Sequence, residues 1–251
     1  MRNLYSVNNP CQAGCAYCFA KWKDIYTGQP SLETANIDNE GIILYPCCDG
    51  ELFDQTGVID KIKDISKDSK KIYVSISTKR MLNQKEFNNI LTLNQWLNEH
   101  NKGFVKFSVS VSTKTKICEI ERSTADYSDR LLLAQKLMCS NIHSSLTLKP
   151  VLPFIPSKEY IEIINDFSPY VKYITLGGLY INPKSKFYTE YIQDKYSFTK
   201  RKVCWLDNNP DWYYIEDNKK TQQLIEYASN RGIQVHLSDE DLIKSIINQM
   251  G

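Results

Sequence analysis

The chain has 251 residues, 42% of them hydrophobic and 24% charged, which suits one sizeable core and excludes a disordered or low-complexity chain. Its 31 basic and 29 acidic side chains leave a net charge of +2, so the overall charge builds in no long-range pull toward DNA or an anionic membrane. There is no run of 18 apolar residues and no signal-peptide core after Met1, and the expectation is a soluble cytoplasmic protein without membrane partners.

In chain order, strand-like apolar runs fall at residues 3–7, 41–45, 71–77, 104–110, 144–151 and 171–176. Helical stretches near 58–66, 84–100, 128–138 and 158–167 lie between them, the pattern of an α/β fold with a parallel sheet. In the third of these helices, Leu131, Leu132, Ala134, Gln135 and Met138 have the spacing of a buried face. Six strands with right-handed crossovers predict a partial (β/α)6 TIM-like barrel over 1–180, with a short C-terminal extension over 181–251 packing on it in the same domain. Residues 19–40 read poorly as either element and are expected to cover the site. Residues 181–216 show no clear periodicity and read as a lid or substrate-facing extension, followed by helices near 221–230 and 239–249.

Eight cysteines without a secretory signal point to metal binding or reactivity rather than crosslinks. Three of them, Cys11, Cys15 and Cys18, form a Cys-x3-Cys-x2-Cys array directly after the first predicted strand. Thiolates are soft ligands suited to iron–sulfur clusters, and such short spacings let one loop wrap a cubane; Gly14 permits the sharp bend. Three ligands would leave one iron of a [4Fe–4S] cluster open. The alternative is a structural zinc site, which wants four closed ligands and would have to recruit Cys47 or Cys48.

Further along stand Cys47-Cys48-Asp49-Gly50-Glu51 after the second strand, Lys79 at the end of the third, and Ser108, Ser110 and Ser112 alternating on one face of the fourth. A serine row inside a barrel needs polar partners, such as those of a bound cofactor. Then come Ile120-Glu121-Arg122-Ser123-Thr124 and Arg130-Leu131.

The cysteine spacing, with aromatic Tyr17 before the third cysteine, resembles the radical S-adenosylmethionine (SAM) superfamily. With the serine strand, the 120–131 segment and Leu148-Lys149-Pro150-Val151-Leu152-Pro153, the chain resembles the spore photoproduct lyase and DNA-repair-photolyase-like group over roughly residues 3–180. The resemblance implies that the open iron chelates the amino and carboxylate groups of SAM, and that an external reductant such as flavodoxin or ferredoxin feeds the cluster. It also implies that Gly50 and Glu51 receive the SAM amino group, in a variant of the Gly-Gly-Glu-Pro motif with Leu52 in place of proline. Tyr17, Lys79, Ser108 and Ser110 are implied as further cofactor contacts. Arg130 would either pair with Glu121 or reach the SAM carboxylate. Cys47 or Cys48 stands where the group has a cysteine hydrogen donor, though the local pattern differs and a buried structural thiol fits as well.

The substrate reading is a nucleic acid or nucleotide. A peptide- or protein-modifying enzyme, including activators of glycyl-radical partners, is the alternative, and a zinc-bearing binding module the non-enzymatic one. The aromatic segment 188–214, with Tyr191, Tyr196, Trp205, Trp212, Tyr213 and Tyr214 among Lys195, Lys200, Arg201 and Lys202, suits either base stacking or a hydrophobic cap on the barrel edge.

Overall fold

The computed structural model describes residues 11–18, 34–37, 41–46, 50–54, 56–68, 71–203 and 210–250. In chain order the elements are β1 (Thr34–Ile37), β2 (Gly41–Leu44), α1 (Val58–Asp68), β3 (Ile72–Thr78), α2 (Gln84–Glu99), β4 (Gly103–Ser110), α3 (Ile117–Ile120) and α4 (Tyr127–Met138). They continue with β5 (His143–Leu148), α5 (Ser157–Phe167), β6 (Tyr173–Leu176), β7 (Leu179–Ile181), β8 (Thr199–Lys202), β9 (Asp211–Ile215), α6 (Asn218–Ser229), β10 (Gln234–His236) and α7 (Asp239–Met250).

The main sheet has the order β1-β2-β3-β4-β5-β6-β10. Six of its strands, β2 to β6 and β10, run parallel, and β1 pairs antiparallel with β2. This is the expected α/β half-barrel. The predicted strand at 3–7 lies outside the described residues; the sixth parallel strand among those described is β10, drawn from the stretch read as an extension. Residues Thr34–Ile37, read as neither helix nor strand, form β1. The unpatterned stretch 181–216 holds much of a second, antiparallel sheet, β7-β9-β8. Short strands on a partly covered sheet carry too little alternation to be seen as a period.

Two layers of packing orient the half-barrel. On the outer face, Val74, Ile76, Val109, Leu146, Ile174 and Leu176 bury against helix residues such as Leu93, Leu133, Ile163 and Leu224. On the inner face, Ile43, Tyr73, Phe104 and Tyr173 pack on Leu242, Ile243 and Ile246 of α7. Helix α7 therefore plugs the amino end of the barrel, and buried Lys106 ties it down through an ion pair with Asp239 at 2.5 Å. The strand starts also need close backbone approach: a Cβ on Gly103, at φ +130°, would stand 2.0 Å from the Ile72 carbonyl oxygen.

Helix α2 opens on a capping box, with Asn83 and Glu86 each accepting the other's backbone N–H at 2.9 Å. The expected buried face of α4 is corrected. Arg130, Leu133, Ala134 and Leu137 are buried, whereas Leu132 and Met138 are 42% and 49% exposed. A helix with apolar residues around much of its girth does not reveal by spacing which stripe meets the sheet. Among the described residues, no helix is long and apolar enough to cross a membrane.

Candidate active site

The site is assembled at the carboxyl ends of β3 and β4, the end where parallel barrels place their chemistry. Residues 11–18 form a loop seated on the segment after α3. Ala16 N–H donates to the Ile120 carbonyl at 2.7 Å, and Ser123 N–H to the Ala13 carbonyl at 3.2 Å. Cys15 forms an antiparallel bridge with Glu121. Gly14 turns the loop at φ +64°, a conformation that side chains other than glycine rarely adopt.

Glu121 is the hub beneath this loop. Its fully buried carboxylate pairs with the fully buried Arg130 at 2.6 Å, lies 3.7 Å from Lys79 Nζ and accepts a hydrogen bond from the Tyr17 hydroxyl. Tyr17 also bonds Ser112 Oγ at 2.7 Å. Burial pushes the Glu121 carboxyl upward, but Lys79, Arg130 and the Tyr17 bond outweigh it and hold the group below the usual carboxylate range. Arg130 is occupied on every side: it donates to the Ser110 and Ala125 carbonyls, both at 3.0 Å, and to the Thr124 hydroxyl. The Glu121–Arg130 pair is thus formed, and the guanidinium has little left to offer a ligand.

Lys79 extends from the end of β3 and donates to Ser110 Oγ. Glu51, 7% exposed, accepts from the Thr78 hydroxyl and from Lys79 N–H at 3.2 Å, so it sits behind the same strand end. Burial raises its carboxyl above the ordinary value against those two hydrogen bonds. Gly50 forms the bend before it. Ser108 is fully buried one layer deeper and bonds Ser145 Oγ at 2.7 Å. Ser108 and Ser110 share one face of β4 and Ser112 lies just past the strand, yet each meets a protein partner: Ser145, Lys79 and Tyr17. Cys47 and Cys48 lie outside the described residues, and so do Cys204 and Trp205.

Three thiols outside any disulfide, those of Cys11, Cys15 and Cys18, come from this one loop. Burial pushes Cys11 up to about 11, with Glu51, Cys18 and Asp54 adding to it. Burial pushes Cys15 up to about 12; Lys79 lowers it in part, and Glu121 adds to the rise. The cysteine loop is therefore flanked by carboxylates on the Cys11 side and by a Lys79–Glu121 pair on the Cys15 side. Among the described residues no group of three His, Cys, Asp or Glu side chains converges as a single metal ion would require. A cluster that takes one thiolate per iron asks for no such convergence, and the soft donor set suits it.

Asp54 and Arg80, which sequence reading did not single out, pair at 2.6 Å beside Glu51. Arg80 lines a small cleft next to the site with Glu51, Leu52, Phe53, Leu82 and Phe107. Glu159 was missed too: it accepts from both hydroxyls of Thr113 and Thr115 and from Lys114 N–H at 2.7 Å, fixing the loop after β4. Only the fold brings α5 to that loop.

The described part of the aromatic segment is partly buried. Phe187, Trp212 and Tyr214 are buried, and Phe187 stacks on Tyr191 with centroids 4.8 Å apart and meets the Tyr17 ring edge-on at 6.0 Å. Lys200, Arg201 and Lys202 of β8 are exposed, with the Arg201 guanidinium 3.5 Å over the Tyr214 ring.

No protein-family model matches the chain, and no curated protein matches it. Solved structures do. Spore photoproduct lyase complexed with dinucleoside spore photoproduct aligns over 92% of this chain and 75% of its own, with a TM-score of 0.62 at 12% identity. A double mutant of spore photoproduct lyase with bound AdoMet and dinucleoside spore photoproduct aligns over the same shares, with a TM-score of 0.59 at 11% identity. At such identity the likeness is one of architecture, and this chain has the fold of spore photoproduct lyase over nearly its whole length.

Proposed function

We propose that the chain is a radical SAM enzyme acting on a nucleic acid or nucleotide, with Cys11, Cys15 and Cys18 as ligands of a [4Fe–4S] cluster. When bound and reduced, for instance by a flavodoxin or ferredoxin, the cluster supplies the electron that splits SAM into methionine and a 5′-deoxyadenosyl radical, which takes a hydrogen atom from substrate.

The observation that carries this reading is the arrangement of charge around the cysteine loop: Glu51 and Asp54 on the Cys11 side, the Lys79–Glu121 pair on the Cys15 side. An amino acid presents an ammonium and a carboxylate together. Glu51, held by Thr78 and the Lys79 backbone, offers an acceptor to the ammonium. Lys79, steadied by Ser110 and Glu121, offers a cation to the carboxylate. Arg130 acts one step back, holding Glu121 and through it Lys79 and Tyr17. Radical chemistry demands a site closed to water, and the buried half-barrel wall with Phe187 against Tyr17 would serve that end. Fold likeness to spore photoproduct lyase, one structure of which carries AdoMet, supports the same reading.

The test is direct. Protein reconstituted without oxygen should hold iron and sulfide and, given SAM and dithionite, release 5′-deoxyadenosine; the Cys11→Ala/Cys15→Ala/Cys18→Ala variant should do neither. Tight zinc without iron under strict exclusion of oxygen would overturn the proposal.

A further inference from the structure

Three consecutive residues at the end of α3 each take a hydrogen bond from a different piece of the protein. The Ile120 carbonyl accepts from Ala16 N–H, in the backbone of the cysteine loop. The Glu121 carboxylate accepts from the hydroxyl of Tyr17, the residue between Cys15 and Cys18 on that loop. The Glu119 carboxylate accepts from the hydroxyl of Tyr191, 72 residues further along the chain.

Tyr191 belongs to a second hold on the same loop. Its ring stacks on Phe187 with centroids 4.8 Å apart, and Phe187 meets the Tyr17 ring edge-on at 6.0 Å. Phe154, from the loop after β5, stacks on Tyr191 at 5.0 Å. Phe187 and Ile192 are buried and root the segment in the core. Between them, Tyr188–Ile192 form a widened helical turn, with Gln193 N–H donating to the Tyr188 carbonyl at 2.8 Å. Such turns are rare and concentrate at functional sites. Core packing accounts for Phe187 and Ile192. It does not account for the phenol of Tyr191, which lies at the surface, where water would serve it as well. That phenol is held as a donor: its bond to Glu119 pushes it up to about 12. Glu119 is itself steadied by Lys116 at 2.8 Å.

We propose that residues 185–192 are a strap across the cysteine loop, in which Phe187 and Tyr191 position Tyr17 and the cysteines on either side of it. The Tyr191–Glu119 bond is the fastening. The proposal rests on the radical SAM reading for the identity of what the loop holds. With the strap fastened, α3 grips the loop by its backbone and Phe187 presses on Tyr17 from the opposite partner, so the loop is held at two points that share one anchor. With it released, the Phe187 contact loosens and Tyr17 keeps its polar bonds to Glu121 and Ser112. The strap residues act through Tyr17, and they set how readily the loop opens and gives up its metal.

The variants are Tyr191→Phe, which keeps the ring stack and loses the bond, Glu119→Ala, and the two combined. In cluster-free protein, deuterium exchange of the peptide spanning residues 11–18 should quicken about fivefold in either single variant. The double variant should go no further, because both changes remove the same bond. Glu119→Gln keeps an acceptor oxygen and should stay within about twofold of the parent. In protein reconstituted with iron and sulfide without oxygen, iron release to bathophenanthroline should rank the variants in the same order. Parent-like exchange at 11–18 in Tyr191→Phe overturns the proposal, as do additive effects in the double variant. Equal quickening across residues 84–99 of α2 overturns it too, since that would be general loosening. The exchange measurement needs no cluster and judges the strap alone, whereas a reconstituted parent that holds no iron would sink the radical SAM reading instead.

Discussion

Replacing Glu121 with glutamine probes the hub directly. The substitution keeps the side chain's shape but removes the anion that pairs with both Arg130, at 2.6 Å, and Lys79, at 3.7 Å. Removing one partner of a buried pair costs about 3–5 kcal/mol, because the other charge stays buried and uncompensated. Lys79 is 13% exposed and can turn toward water, and Arg130 keeps the carbonyls of Ser110 and Ala125 and the Thr124 hydroxyl. The expected loss is therefore near the lower end, about 3 kcal/mol. For a chain of this size that lowers the melting temperature by about 6–12 °C. Circular dichroism melts at neutral pH would measure it. The double variant Glu121→Gln/Arg130→Met removes both charges and should be less destabilised than the sum of the single changes. A Glu121→Gln protein melting within about 2 °C of the parent would refute the reasoning, since a pair that costs nothing to break cannot be holding the loop.

Two other buried groups make separate predictions. Glu159 is held below the usual carboxylate range: burial pushes it up, and the donors on Thr113, Thr115 and Lys114 outweigh that. A depressed folded-state pKa contributes stability above the ordinary carboxylate value, near 4.5, that is lost as pH falls through the lower folded value. Glu121 has the same sign, so melting temperature should decline with acid; Glu159→Gln should flatten that decline and cost about 1.5–3 kcal/mol at neutral pH. A pH–melting curve unchanged by the substitution would contradict this. Lys220, 7% exposed, donates to the carbonyls of Leu152, Pro153 and Ile155. Lys220→Met should strand those oxygens and cost about 2–3 kcal/mol by chemical denaturation, with faster proteolysis at 152–155; equal stability would show that the oxygens find other partners.

The local features of this protein were readable one residue at a time. Three cysteines within eight residues, a glycine between them and an aromatic before the last state their chemistry without any fold. The same is true of β3, β4, α2 and α5, whose apolar periods are long and regular enough to place their ends within a residue or two. The α4 face was harder, because Leu131, Leu132 and Leu133 offer three adjacent stripes and only contact with the sheet selects Leu133.

What the sequence by itself determined was the cysteine loop, the alternation of strands and helices and the half-barrel class, all of which arise from neighbours within a few turns of chain. Tertiary structure alone decided that Lys79 meets Ser110 and Glu121, that Glu159 reaches the loop after β4, and that residues 234–236 complete the parallel sheet. It also decided that Ser110, Thr147, Thr175 and His236 stand side by side, although 28 to 61 residues separate the member on one strand from that on the next. Register across a sheet is set by how strands dock sideways on a common core, and a one-residue slip would turn each of those side chains to the opposite face. No stretch of chain carries that information locally, which is why the alignment appears only once the strands have docked.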